Sequence, residues 1–283
     1  MPFASLGLSP ALLRAVSANA FTTPTPIQMA AIPAALAGRD VLGSAQTGSG
    51  KTAAFALPIL QQLEAVTHAK TRIVKALILV PTRELAAQVG ETFRDLARYL
   101  PHPPHLASAI KVTIVFGGVS INPQMLGLRG GTDIVVATPG RLLDLIEHNA
   151  ITLGSVKTLV LDEADRLFDL GFADELARVL ELLPAVRQNL FFSATFPPAV
   201  QTLANTLLCD PVRVEVTPEP ESAPDITQRA IAVDTGRRTQ LLRHLYQQHH
   251  WSRVLVFVAT KHAAEMIADK LRKARINAEP FHG

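Results

Sequence analysis

Ala45-Gln46-Thr47-Gly48-Ser49-Gly50-Lys51-Thr52 is a glycine-rich loop between a short apolar strand pattern and a run of helix-forming residues. Gly48 and Gly50 allow the backbone to turn its N–H groups toward phosphate oxygens, and the helix start adds its positive dipole end. In such a loop Lys51 reaches the β- and γ-phosphates of a nucleotide, and the Thr52 hydroxyl holds Mg²⁺. The pattern therefore predicts a nucleotide site.

A second element supports this interpretation, because the loop alone could be a flexible turn and has Ala45 where the general pattern has glycine. The apolar run 158–161 delivers Asp162 and Glu163 at the carboxyl end of a predicted strand, where open α/β sheets bind ligands. We assign Asp162 to the Mg²⁺ shell and Glu163 to the general base that polarises the attacking water, with Lys51 as the third catalytic residue. Paired acids can also be ordinary charges at a helix start.

Apolar, β-branched runs alternate with segments of helical spacing over residues 1–216. Strands are predicted at 40–44, 75–80, 111–116, 133–137, 157–161, 189–193 and 212–216. Helices are predicted from the end of the loop and at 83–100, 140–148, 173–183 and 198–208. Most strands are apolar throughout, as in a sheet covered on both faces. The fold class is therefore α/β, a parallel sheet with helices on both faces.

The alternation stops at residues 217–225, where prolines and acidic residues accumulate, and this predicts a linker. It resumes with strands predicted at 226–233, 253–258 and 276–281 and helices at 237–249 and 261–274. We therefore predict an N-terminal domain over 1–216, a linker over 217–225 and a partial second α/β domain over 226–283.

Composition and charge limit the class of protein. Cys209 is the single cysteine, so an internal disulfide is impossible, and no apolar run approaches the ~18 residues of a membrane span. The start has no basic region before an apolar segment, so we expect no secretion signal, no membrane partner and a cytoplasmic location. The net charge of +3 arises entirely within residues 217–283, which fits either nucleic-acid contact or a solvated helix face.

The loop and Asp162-Glu163-Ala164-Asp165 together resemble the DEAD-box RNA helicases of helicase superfamily 2. The resemblance covers almost the whole chain and implies a RecA-like P-loop domain followed by an incomplete second one. It implies ATP and Mg²⁺ as cofactors, and single-stranded and short duplex RNA as partners. The segment 21–28 resembles the Q motif, which implies that Gln28 contacts the adenine edge and that Phe21, with Phe3 upstream, packs on the base. Ala20 replaces the usual glycine there.

Three further loops resemble the family motifs that hold the RNA sugar-phosphate backbone: Pro81-Thr82-Arg83, Gly117-Gly118 and Thr138-Pro139-Gly140-Arg141. Arginine charge, hydroxyl groups and glycine amides suit contacts that do not depend on base sequence. Ser193-Ala194-Thr195 resembles the motif that couples ATP to RNA binding by hydrogen-bonding Asp165. Each motif alone is also a common turn, bend or helix cap, but their order along one sheet favours the family.

The run 118–125 is similar to the bacterial RhlE-like subgroup, and the later second-domain motifs that supply arginine fingers are not found in 217–283. We expect RNA-stimulated ATP hydrolysis and local RNA duplex unwinding from the intact form, with impaired activity in this chain alone. The alternatives are a non-catalytic ATP- and RNA-binding module and a superfamily 2 DNA translocase, which the Q motif and the acidic tetrapeptide disfavour. Candidate protein partners belong to ribosome assembly or RNA decay.

Overall fold

The computed structural model describes residues 2–46, 48–64, 72–102, 110–216 and 226–282. The chain divides into two compact units, Met1–Pro220 and Glu221–Gly283, and each is described by itself. The predicted linker at 217–225 lies outside the described residues.

The strands of the first unit are β1 (Val41–Ser44), β2 (Ala76–Leu79), β3 (Val112–Val115), β4 (Ile134–Ala137), β5 (Thr158–Leu161), β6 (Gln188–Ser193) and β7 (Val212–Glu215). They form one sheet in the order β3-β4-β2-β5-β6-β1-β7, and every neighbouring pair is parallel. The register aligns strand ends, since Leu79 pairs with both Leu161 and Ala137, and Ser44 pairs with Ser193. The predicted α/β parallel sheet is confirmed, with each predicted strand within one residue of its observed ends.

The helices of this unit are α1 (Pro10–Ala18), α2 (Pro26–Leu36), α3 (Lys51–Glu64), α4 (Arg83–Ala97), α5 (Asn122–Leu128), α6 (Pro139–Glu147), α7 (Ala164–Asp169), α8 (Ala173–Glu181) and α9 (Pro198–Leu207). The helical patterns predicted α3, α4, α6, α8 and α9. They did not predict α1, α2, α5 or α7. Helix α2 is apolar on most sides and contains Pro33, and α7 is too short to show a period.

Two hydrophobic cores lie on opposite sides of the sheet, because successive strand side chains point to opposite faces. Ile78 belongs to the core that includes α1 to α4, whereas Leu77 and Leu79 belong to the core that includes α6, α8 and α9. In the first core the ring centroid of Phe55 lies 6.1 Å from that of Phe93 and 5.5 Å from that of Phe192. Burial on both faces explains why most of the strands are apolar throughout, whereas the edge strand β7 alternates valines with the exposed Arg213 and Glu215.

The second unit forms two helices, α10 (Arg238–His249) and α11 (Lys261–Lys273), and its described residues contain no strand. The strands predicted at 226–233, 253–258 and 276–281 are therefore wrong for this structure. Apolar runs become strands only when a neighbour accepts and donates their backbone hydrogen bonds, and these runs pair with none. Phe257 is accordingly 88% exposed.

In the described part of the chain, no helix is both long and apolar enough to cross a lipid bilayer.

Helix α4 packs closely on β3 at Gly90, where an added Cβ atom would overlap Cγ1 and Cδ1 of Ile114. We expect Gly90→Ala to lower the free energy of unfolding by about 1–3 kcal/mol, since overpacking outweighs the ~1 kcal/mol gain in helix propensity. Urea denaturation measures the change. In an Ile114→Ala background, which removes both overlapping atoms, the same substitution should be neutral or stabilising. A Gly90→Ala protein at least as stable as the parent would contradict this packing.

Candidate functional site

Most of the predicted site residues follow the carboxyl ends of parallel strands, so the fold brings them to one edge of the sheet. Phe21 and Gln28 instead precede β1, before α2 and in its first turn. The phosphate loop follows β1, Asp162 follows β5, and Ser193 ends β6. The three loops predicted to contact RNA follow β2, β3 and β4. In the strand order, the nucleotide group lies on the β5-β6-β1 side and the RNA group on the β3-β4-β2 side.

The phosphate loop is held by its own lysine. Lys51 is buried, and its Nζ donates a hydrogen bond to the carbonyl oxygen of Ala45 at 2.9 Å. The Ala45 N–H in turn donates to the Ser193 carbonyl at 3.1 Å, which ties the loop to β6. Gly48 and Gly50 have φ of 85° and 92°, a region that favours glycine. A Cβ on Gly48 would meet no atom within 4 Å, so the backbone there is open to a ligand. Thr47 lies outside the described residues.

Gln28 connects the first turn of α2 to the phosphate loop. Its Nε2 donates to the Gly50 carbonyl at 3.0 Å, and its Oε1 accepts the Thr25 N–H at 3.0 Å. Each amide atom can make one further hydrogen bond, which leaves capacity for a base edge. Phe21 is half-buried against the first core. Phe3 is only 5% exposed within that core, so its predicted packing on a base is wrong.

Three carboxylates follow β5, and all are buried: Asp162, Glu163 and Asp165 are 2%, 7% and 7% exposed. Burial raises the pKa of Asp162 to about 6; the charge of Lys51 opposes this rise and that of Glu163 adds to it. The loop lysine and this carboxyl group therefore act on each other electrostatically. Thr52 lies in the first turn of α3 beside Lys51. A carboxylate and a hydroxyl are the hard oxygen ligands that Mg²⁺ takes in nucleotide sites, so Asp162 and Thr52 fit this ion.

Glu163 has a constrained backbone at the start of α7. Its φ and ψ are 50° and 52°, a left-handed conformation that is uncommon for residues other than glycine. Its Oε2 lies 3.3 Å from Nη1 of Arg166. Sequence reasoning missed Arg166, although opposite charges three residues apart on a helix are a recognisable signal.

Asp165 is linked to the segment after β6. Its Oδ2 accepts hydrogen bonds from the N–H and the hydroxyl of Thr195 at 2.9 and 2.8 Å. Its N–H donates to Ser193 Oγ at 3.1 Å, and that hydroxyl donates to the Thr195 carbonyl at 2.7 Å. Burial alone would raise the pKa of Asp165, but the hydrogen bonds that Thr195 and the Arg166 N–H donate to the carboxylate outweigh burial, so the pKa is lowered. The structure thus brings the three predicted coupling residues into direct contact.

Six of the nine residues predicted to contact RNA line a pocket of about 440 Å³. It is lined by Arg83, Gly117, Gly118, Thr138, Gly140, Arg141, Asp144 and Phe172. Asp144 and Phe172 were missed, because neither belongs to a motif visible in the sequence. Pro81 and Pro139 are buried instead, and the hydroxyl of Thr82 accepts the Leu85 N–H at 3.2 Å as the cap of α4.

Arg141 is the most constrained charge of this pocket, and its side chain is only 10% exposed. Nη2 donates to the Val119 carbonyl at 2.7 Å, and Nε lies 3.3 Å from Oδ2 of Asp144. Nη1 is buried and has no hydrogen-bond partner in the described structure. A buried guanidinium donor without a partner is costly, so this group is suited to an incoming anion such as a phosphate.

The Asp165 contacts predict a pH-dependent effect of Thr195→Val, which removes the hydroxyl donor. A carboxyl group whose folded pKa is lowered stabilises the fold above its unfolded pKa, and this stability is lost as the pH falls through the folded value. We expect the substitution to lower the free energy of unfolding by about 0.5–1 kcal/mol at pH 7, because Thr195 is partly solvated. The cost should shrink as the pH falls below the ordinary value of 3.8.

Urea unfolding between pH 7 and 3 measures this dependence. Thr202→Val is the matched control, since its hydroxyl donates only to the Pro198 carbonyl in α9 and should show a cost that does not vary with pH. Equal costs for Thr195→Val at both ends of the pH range would contradict the role of its hydroxyl toward Asp165.

Comparison with known proteins identifies the family. A family model described as DEAD/DEAH box helicase matches residues 25–203. The chain is 42% identical over 281 residues to the ATP-dependent RNA helicase DeaD of Mycobacterium tuberculosis, covering 99% of this chain and 48% of the relative. It is 40% identical over 276 residues to the ATP-dependent RNA helicase DbpA of Escherichia coli, covering 98% of this chain and 58% of the relative.

The solved structures agree with the sequence comparison. The crystal structure of a DEAD box protein from the hyperthermophile Methanococcus jannaschii has a TM-score of 0.68 and 33% identity, covering 100% of this chain and 73% of that chain. The chain spans about half the length of the curated relatives it matches. The family model matches more than half of the residues of this chain, and the chain covers more than two thirds of the solved DEAD box protein. The chain therefore belongs to the DEAD/DEAH box helicase family.

Proposed function

We propose that this chain forms the nucleotide-hydrolysing part of an ATP-dependent RNA helicase, with RNA bound at the pocket of Arg141 and ATP at the loop of Lys51. One observation supports the proposal most directly: the candidate nucleotide residues and the candidate RNA residues lie along the same edge of the sheet. Asp165 contacts Thr195 beside the nucleotide residues. The narrower RhlE-like assignment, the cytoplasmic location and partners from ribosome assembly or RNA decay stay predictions.

At the nucleotide site, the loop amides and Lys51 hold the phosphates, and Lys51 gives up its hydrogen bond to Ala45 to do so. Asp162 and Thr52 would hold Mg²⁺, which would supply positive charge against the phosphate oxygens. Glu163 polarises the attacking water as general base, and its left-handed backbone fixes where the carboxylate points. Gln28, whose Nε2 donates to the Gly50 carbonyl, contacts the adenine edge.

Coupling between the two ligands runs through α7 in this proposal. Asp162 and Glu163 directly precede this short helix, and Asp165 lies in its first turn. Movement of the acids toward a bound nucleotide would shift Asp165 and, with it, the Ser193 and Thr195 segment that it holds. Two discrete arrangements of this network would then distinguish the ATP-bound state from the ATP-free state.

At the RNA pocket, Arg141 offers its unpartnered Nη1 to a phosphate, and Arg83 adds an exposed charge. Gly117 and Gly118 let backbone amides approach the same strand. None of these groups distinguishes bases, so binding should be independent of sequence and should weaken with salt. For the whole protein we propose RNA-stimulated ATP hydrolysis coupled to local duplex unwinding.

Substitution of Lys51 tests the nucleotide site. We expect Lys51→Ala to weaken ATP·Mg²⁺ binding by about 10- to 100-fold, because a buried charge-assisted contact to phosphate is lost. Isothermal titration with ATP measures the affinity. Lys157→Ala is the matched control, because this exposed lysine precedes β5 at the opposite edge of the sheet. Undiminished affinity in Lys51→Ala would overturn the phosphate-loop assignment.

Substitution of Glu163 separates chemistry from binding. We expect Glu163→Gln to keep ATP affinity within about twofold and to slow single-turnover hydrolysis by about 10²- to 10⁴-fold, since the amide cannot accept the proton of the attacking water. Rapid mixing of protein with radiolabelled ATP, with and without single-stranded RNA, gives the rate. Hydrolysis at the parent rate in Glu163→Gln would exclude this residue as the base.

Competition between ATP and GTP tests Gln28. A site that hydrogen-bonds one base edge leaves buried groups unpaired with another base, so we expect ATP to outcompete GTP by at least about tenfold. Gln28→Ala should reduce this ratio toward one. The ratio is the informative quantity, because loss of the Gly50 contact affects both nucleotides equally. Equal competition by GTP in the parent would contradict the assignment.

A further inference from the structure

An acidic residue lines the pocket that is proposed to hold RNA phosphates. Asp144 shares this pocket with Arg83 and Arg141, and its side chain is 55% exposed. A carboxylate repels a phosphate, so the charge of Asp144 by itself should weaken RNA binding. The contacts of Asp144 decide whether this residue only reduces affinity or has a second role.

Asp144 lies one turn beyond Arg141 on α6, where side chains three residues apart are neighbours. Its Oδ2 lies 3.3 Å from Nε of Arg141, and the Val119 carbonyl accepts a hydrogen bond from Nη2 at 2.7 Å. Within the described residues, Asp144 is the only acid paired with this arginine. The two acceptors therefore hold Nε and Nη2 of the planar guanidinium group, while Nη1 has no described partner.

Both contacts are needed to fix the direction of the guanidinium plane. A planar group bound at one nitrogen can rotate about that hydrogen bond, whereas contacts at two nitrogens determine its orientation. The Arg141 side chain is largely withdrawn from water, so solvent does little to replace a lost partner. The other pocket arginine differs, because Arg83 is 60% exposed and pairs with Glu84, which is 69% exposed. Arg141 is thus the preorganised charge of the pocket.

We propose that Asp144 is a positioning residue for Arg141. It holds the guanidinium group in the orientation that leaves Nη1 for an RNA phosphate, so that the side chain need not be ordered when RNA arrives. Water and salt weaken the repulsion between Asp144 and the phosphate, because the carboxylate is more than half exposed. When Asp144 is replaced, the lost orientation should therefore outweigh the lost repulsion. This inference rests on the proposed RNA pocket and adds a residue from outside the sequence motifs.

Replacement of Asp144 by alanine should give a result opposite to that expected from charge alone. We expect Asp144→Ala to weaken binding of a single-stranded oligouridylate to residues 1–283 by about three- to tenfold, although a negative charge is removed from an anion site. Asp144→Asn keeps an oxygen acceptor for Nε and should restore the affinity to within about twofold of the parent or better. Fluorescence anisotropy of labelled RNA at one fixed salt concentration measures both affinities.

Glu147→Ala is the matched control, because Glu147 lies one turn further along α6 and carries the same charge. It pairs with Arg178 at 2.9 Å, and neither residue is among the described residues that line the pocket. This variant should bind RNA with the parent affinity or slightly more tightly. An RNA affinity of Asp144→Ala that equals or exceeds that of the parent would overturn the proposal, and so would equal weakening in Asp144→Asn.

Arg141→Gln separates this inference from the proposed function. If Arg141 binds phosphate, Arg141→Gln weakens RNA binding, and adding Asp144→Ala should cause no further loss, since no guanidinium group remains to be held. A further loss of about three- to tenfold in the double variant would overturn the positioning role. Unchanged RNA affinity in Arg141→Gln would instead overturn the proposed pocket. Weakening in Arg141→Gln without weakening in Asp144→Ala would overturn this inference alone.

Discussion

The parallel direction of all seven strands is the constraint on which this molecule depends. Parallel pairing places every carboxyl end at the same edge, so Lys51, Asp162 and Thr195 become neighbours although long stretches of chain separate them. The crossover helices required by parallel pairing also cover both faces of the sheet. Strand order then divides the edge, with one candidate ligand group on each side of the boundary between β2 and β5.

Buried charge is the second organising feature, because three carboxylates within four positions would be prohibitively costly without local compensation. The Asp165 carboxylate is compensated by hydrogen bonds from the N–H and the hydroxyl of Thr195, and Glu163 lies against Arg166. The pKa of Asp162 is raised while that of Asp165 is lowered. The pKa values of two aspartates three positions apart are thus shifted in opposite directions, upward by burial at Asp162 and downward by hydrogen bonds at Asp165.

Much of the fold of the first unit can be predicted from its sequence. Strands buried on both faces appear as continuous apolar runs, and few other structures are compatible with the sequence of the phosphate loop. Strand order does not follow, since local pattern contains no information about which strand lies beside which. Contacts set by tertiary packing were also missed. Phe172 enters the pocket from the connection between α7 and α8, and Phe3 joins the core. The apolar runs of the second unit show the converse, that strand propensity without a partner produces no strand.

The hydrogen bond between Lys51 and Ala45 has a thermodynamic consequence for ligand choice. In the proposed nucleotide site an arriving phosphate would replace this existing contact, so the net gain from Lys51 would be smaller than that from a lysine without a partner. A ligand with one phosphate would gain only this reduced contribution, whereas a longer phosphate chain would also engage the loop amides. The occupied lysine would therefore favour ligands with several phosphates, independent of which base the ligand bears.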